Sequence, residues 1–128
     1  MSTLHNYLTR IETTVYRRSD IHAHDFVTVA RSRIIGYATG RLIFYDGSFL
    51  DVNEVVAFLD YRIKKLSYSY HYQRGNQVVF RYDNAPHFPG LPNYPHHKHI
   101  GDQVEGCAPP DLARALKEID SILYPVSA

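Results

Sequence analysis

RIKKLSYSYHYQRGNQVVFRYD, residues 62–83, is the stretch on which the fold turns. Leu66, Tyr68, Tyr70 and Tyr72 alternate with Lys65, Ser67, Ser69, His71 and Gln73. A period of two puts these sets on opposite faces of one strand. Arg74-Gly75-Asn76-Gln77 reads as a turn, and Val78 to Asp83 as the returning strand. A two-residue Gly75-Asn76 loop would set Tyr72 opposite Val79, Tyr70 opposite Arg81 and Tyr68 opposite Asp83.

Upstream of this hairpin the chain stays β in character. Phe26, Val27 and Val29, then Ile34 to Tyr45, supply one or two strands broken around Gly36 to Gly40. Asp46-Gly47-Ser48 is a turn signal. Leu50, Val52, Glu54 and Val56 then fall two apart, which places Glu54 on a face that otherwise reads as buried. Strand signals resume between His97 and Val104. At the ends, Leu4, Tyr7, Leu8, Ile11 and Val15 keep helical spacing, with Ser2 or Thr3 as cap. Pro109-Pro110-Asp111 opens a second helix, on which Leu112, Leu116, Ile119 and Leu123 share a face. The expected architecture is α+β: an antiparallel meander of four to five strands flanked by an N-terminal and a C-terminal helix, in one domain over residues 1–128.

Pro86, Pro89, Pro92 and Pro95 recur every third residue, the period of a polyproline II turn. Extended, that run would hold His87 and His96 about 28 Å apart. Bringing them together requires a bend, and Gly90 is the residue free to make it.

Composition narrows the function classes. Of 128 residues, 45% are hydrophobic and 21% charged, which suits a folded domain and not a disordered chain. The longest apolar run, Val55 to Leu59, is far short of the ~20 residues of a membrane helix. Met1 to Arg10 lacks the apolar segment of a secretory signal, and Cys107 has no intrachain partner, so a cytoplasmic protein with no membrane contact is expected. Cys107 reads as packing. Charge is segregated: residues 61–100 carry six Lys/Arg and one acid, Asp83, together with five of the eight histidines and six of the eleven tyrosines. Cations, imidazoles and phenols in one block suit a polyanion such as RNA.

The chemistry concentrates in two clusters, Arg81-Tyr82-Asp83-Asn84 with His87, and Tyr94-Pro95-His96-His97-Lys98-His99. Three imidazoles and an ammonium in four residues repel when protonated, so some rings stay neutral near pH 7. A neutral imidazole beside a protonated one is what proton transfer in RNA cleavage needs. His96, His97 and His99 are the acid–base candidates, Arg81 and Lys98 the phosphate-binding cations, and Glu54 either joins the site or is buried structurally. Tyr70, Tyr82, His87 and Asp83 are substrate-binding candidates. Alternating tyrosines are also good strand residues with no further role. No cofactor is expected. A rival reading makes His97 and His99, two apart on a strand, metal ligands with His87, Asp83 or Glu54 in a hydrolase. HExxH, GxSxG, P-loop and GxGxxG patterns are absent.

The order of these pieces resembles the TumE family of toxins from toxin–antitoxin pairs. Asp46-Gly47-Ser48 with Leu50 and Glu54, Tyr68-Ser69-Tyr70-His71, Arg81-Tyr82-Asp83-Asn84-Ala85-Pro86-His87 and Pro95-His96-His97-Lys98-His99 carry the likeness across residues 40–124. The last is the most distinctive. Phe88 departs from the pattern, which has a second histidine there. The resemblance implies a toxin acting on RNA or translation, with RNA or the ribosome as target. It also implies a cognate antitoxin, often with a helix-turn-helix, that occludes the basic face. A non-catalytic module gripping RNA or protein is the remaining alternative.

Overall fold

The computed structural model describes residues 3–126. Helix α1 (Leu4–Tyr16) leads into strands β1 (Ile21–Ala30), β2 (Ile35–Phe44), β3 (Phe49–Leu59), β4 (Arg62–Arg74), β5 (Gln77–Asp83), β6 (His97–Ile100) and β7 (Gln103–Gly106), and helix α2 (Leu112–Leu123) closes the chain. The strands lie in sequence order in one sheet, each antiparallel to its neighbour. The meander and both flanking helices match the expectation, but the sheet has seven strands and not four to five. Residues 21–24 are too polar to announce a strand, yet they pair with β2 as part of β1. The 97–106 segment divides at Gly101, whose φ of 57° turns the chain, into two four-residue strands too short to display a period.

Both helices pack on one face of the sheet. Ile11 and Val15 of α1 and Leu112, Leu116, Ile119 and Leu123 of α2 are buried there with Leu42, Leu50, Val52, Tyr70, Tyr72 and Phe80, and Leu4 and Leu8 pack on Val56 beside them. Each such aliphatic or aromatic side chain contributes ~1.5–3 kcal/mol on burial. Thr3 caps α1 through its hydroxyl, which accepts from Asn6 N at 3.1 Å; Ser2, the other cap considered, lies outside the described residues. Asp111 caps α2 by accepting from Arg114 N at 2.8 Å. The opposite face of the sheet carries no helix among the described residues, and no helix is long and apolar enough to cross a membrane.

Two one-residue irregularities set which side chains reach which face. The β4–β5 loop is the two-residue one expected, and Arg74 and Gln73 face Gln77 and Val78. Val79 then bulges, so that Tyr72 faces Phe80, Tyr70 faces Tyr82 and His71 faces Arg81. The register read from the sequence is therefore off by one. Directly opposed residues share a face, so the unbulged register would drive Arg81 among the buried tyrosines. The bulge puts Phe80 and Tyr82 there instead. A second irregularity, at Leu66, leaves that residue half-exposed and turns Lys65 toward the helices.

The proline run does not form a polyproline II helix. It is folded by short turns, with His87 N, Leu91 N and His96 N donating to Ala85 O, Phe88 O and Asn93 O. The left-handed residue is Asn93, not Gly90. This loop lies against β7 at Gly106, where any Cβ would come 1.9 Å from the Pro92 carbonyl oxygen.

Candidate active site

β4, β5 and β6 lie side by side, and their helix-free face presents a cross-strand row. His71 opposes Arg81, and Arg81 opposes His99. At ~4.8 Å per strand spacing, the two histidine backbones stand about 10 Å apart with the guanidinium between them. Arg81 Nη1 approaches His71 Nδ1 at 3.5 Å, and His71 Nε2 lies 3.0 Å from Gln73 Oε1.

Asp83 anchors the row from the next position. Arg81 Nε donates to its Oδ2 at 3.0 Å, Ala85 N donates to its Oδ1 at 3.0 Å, and His97 Nε2 sits 2.8 Å from the same Oδ1. His99 Nε2 is 3.9 Å from Oδ2. His97 Nδ1 meets the Pro95 carbonyl at 2.9 Å, so both nitrogens of that ring face oxygen atoms. Phe88 from the proline loop sets its ring edge-on to both His97 and His99, at 5.0 and 5.9 Å. Asp83 and His97 are buried, while the Arg81 and His99 side chains keep 41% and 32% of their surface in solvent. Reagents reach the row, not the pair beneath it. Burial and the neighbouring His97 hold the His99 pKa below the ordinary imidazole value, against the opposing pull of Asp83.

Of the residues singled out by sequence, Arg81, Asp83, His97 and His99 come together here. His87 stands exposed on the loop, its ring against Phe88. The others face elsewhere, because alternation along β6 sends Lys98 to the opposite side from His97 and His99. Lys98 Nζ donates to Glu118 Oε2 of α2 at 2.8 Å and lies 4.8 Å from the Tyr82 ring centroid. Burial opposes its charge, but hydrogen bonds with Glu118 and Tyr82 raise its pKa overall. Tyr82 donates to Glu118 Oε1. His96 stacks on Tyr68, with Nδ1 3.0 Å from the phenol oxygen, and burial lowers its pKa.

Glu54 and Tyr70 form part of a separate network under α1. Glu54 accepts from Tyr7 and, at 2.6 Å, from Tyr70; Lys65 Nζ donates to Tyr70 at 2.6 Å and to Pro110 O at 3.2 Å, and stands 3.8 Å from Glu54. Burial raises the pKa of both phenols and lowers that of Lys65.

His71 is the member of the row that sequence reasoning did not single out. Its polar-face position was legible, but its partner was not. The signal was the need for Phe80 and Tyr82 to share a face with Tyr70 and Tyr72, which only an extra residue in β5 permits.

A cation between two imidazoles, on an open face and braced by a buried carboxylate, can hold an anion and move protons beside it. Residues 8–123 match the family described as Toxin TumE. The chain belongs to the TumE toxin family. No curated protein and no solved structure matches it. Membership of the TumE family supports a toxin role for the protein.

Proposed function

We propose that this TumE toxin cleaves RNA without a metal, using the His71–Arg81–His99 row. The observation that carries the reading is the placement of two imidazoles on either side of one guanidinium, directly opposed across three strands. Arg81 binds a non-bridging phosphate oxygen and stabilises the charge of the phosphorane. His99, held toward its neutral form, takes the proton of the 2′-hydroxyl, and O2′ attacks phosphorus. The P–O5′ bond breaks, and His71 gives a proton to O5′. The products are a 2′,3′-cyclic phosphate and a free 5′-hydroxyl, with no other reactant consumed. Asp83 and His97 act as positioning residues, aiming Arg81 and His99. Lys98, Tyr70, Tyr82 and Glu54 have no contact with substrate in this reading.

Purified toxin incubated with single-stranded RNA and EDTA tests it. Cleavage to cyclic-phosphate ends is expected. The acid limb of kcat/KM should have its midpoint below the ~6.5 of a free imidazole, because the base must be unprotonated and its pKa is depressed. Intact RNA under these conditions, with and without ribosomes, would overturn the reading.

One observation favours a second reading. Single ligand atoms of Asp83, His97 and His99 all lie within 4.8 Å of one another, and the His97 Nδ1 contact with Pro95 O is the outer-sphere bond that ligating histidines usually make. These three residues could hold a divalent cation that activates water. Titrating Zn²⁺ and Mn²⁺ into the protein and into Asp83→Asn decides between them. Stoichiometric binding lost in the variant, with cleavage abolished by EDTA, would replace the metal-free reading by this one.

A further inference from the structure

The helix-free face holds a second row one position along from the first. Thr39, Asn53, Ser69, Asp83 and His97 oppose one another in turn across β2 to β6. Short side chains at the first three of these positions leave an open trough of about 580 Å³, within the ~300–1,000 Å³ of ligand sites. Arg81 and Asp83 close one end, and the start of the proline loop, residues 84–86, forms a wall. The trough therefore opens directly onto the guanidinium of the catalytic row. Its floor is built for hydrogen bonding: the Thr39 hydroxyl donates to Asn53 Oδ1 at 2.8 Å, which leaves the Asn53 amide N–H groups as its donors, and Ser67 and Ser69 add hydroxyls. Tyr37 and Val55 supply apolar surface at the far side.

Beyond Tyr37 and Val55 the same end of the sheet carries the β1–β2 and β3–β4 turns, joined by a hydrogen bond from Phe58 N to Ile34 O. Arg31, Arg33, Arg62 and Lys64 are exposed on and beside these turns, where Asp60 is the acid. The Arg31 guanidinium lies 5.5 Å from the Tyr37 ring centroid. A polar slot with the Arg81–Asp83 ion pair at its inner end and four cations at its outer rim has the charge layout of a polyanion path, not of an apolar ligand site.

We infer that the trough is the subsite for the nucleoside next to the scissile phosphate, and that single-stranded RNA leaves it across the Arg31–Arg33–Arg62–Lys64 rim. The inference rests on the reading of the His71–Arg81–His99 row as a phosphodiester site. A single strand is specified because only an unpaired base can enter the slot, its edge reaching Asn53, Ser67 and Ser69 and its face lying against apolar side chains. The antitoxin, as a protein, is the rival occupant.

The test uses the inactive His99→Ala full chain and a fluorescent single-stranded RNA oligonucleotide, with a duplex of the same sequence as comparison. Ser69→Phe fills the floor, and Ser67→Phe is the second filler should the first fail to fold; aromatic residues suit an exposed strand face. Either should weaken single-strand binding about 5- to 150-fold, the loss of one buried base. The pair Arg31→Gln and Arg62→Gln should flatten the salt dependence of log K by about 1.4, two lost single-strand phosphate contacts. Duplex RNA should bind more weakly than the single strand. Fillers that fold and bind RNA as well as their parent overturn the inference, even if the wild-type toxin cuts RNA. So does failure of His99→Ala to bind single strands, or a filler that loses the antitoxin and keeps RNA. Binding in the trough with no cleavage by the wild-type protein supports a single-strand nucleoside subsite there and overturns the proposed metal-free cleavage, and with it the subsite's place beside a scissile phosphate.

Discussion

Arg81→Ala should abolish RNA cleavage and growth arrest while leaving the protein folded. Removing one preorganised electrostatic donor typically costs ~10²–10³ in rate, and His99→Ala, which removes the base, ~10²–10⁴. Stability should change little. The Arg81 side chain is 41% exposed, and Asp83 retains His97 and Ala85 N as partners when the guanidinium is gone. Arg81→Lys should recover part of the rate, since a point charge can neutralise phosphate but lacks the fork that meets Asp83 and His71 together. The measurements are oligonucleotide cleavage rates and thermal unfolding, side by side. Full cleavage by Arg81→Ala would remove the centre of the proposed site. Unfolding of the variant would make Arg81 structural, in conflict with its exposure.

Glu54→Ala should have the opposite profile: a large loss of stability. Glu54 is 2% exposed and accepts from two phenols, and Lys65 lies 3.8 Å away. Its removal leaves Tyr7 and Tyr70 without their acceptor and a half-buried ammonium without its anion. Breaking a buried pair from one side costs ~3–5 kcal/mol, a large share of the ~5–15 kcal/mol that holds a domain together. Glu54→Gln, which keeps an acceptor for the phenols, should cost less. Urea unfolding reads both. A Glu54→Ala protein as stable as the parent but unable to cut RNA would instead put this carboxylate in contact with substrate.

The contrast between these two residues marks where sequence reading succeeds and where it stops. The helices were legible because their apolar spacing and the Thr3 and Asp111 caps all agree. The β4 strand was legible because its alternation is clean, and Glu54 was correctly set on the buried face for the same reason. Alternation failed where one residue interrupts it. Val79 moved Arg81 from the tyrosine face to the histidine face, and Leu66 moved Lys65 the other way. Nothing local in Val78-Val79-Phe80 distinguishes a bulged strand from a regular one; only the demand that both faces match across the pair does. Adjacency in the chain groups Lys98 with His97 and His99, and a strand undoes that grouping by sending neighbours to opposite sides. The strand count fell short because β6 and β7 span four residues each.

The order in which the sheet is laid down has a consequence for a cell that makes this toxin. Every strand pairs with the one before it, so the sheet can grow outward from β1 as the chain emerges. The row proposed to bind phosphate spans β4 to β6, and its last imidazole is residue 99. At ~5–20 residues per second, a nascent chain spends roughly 5–20 s without that ring. Under the proposed mechanism, prematurely terminated products that stop before β6 are harmless fragments, and an antitoxin needs to meet only finished molecules.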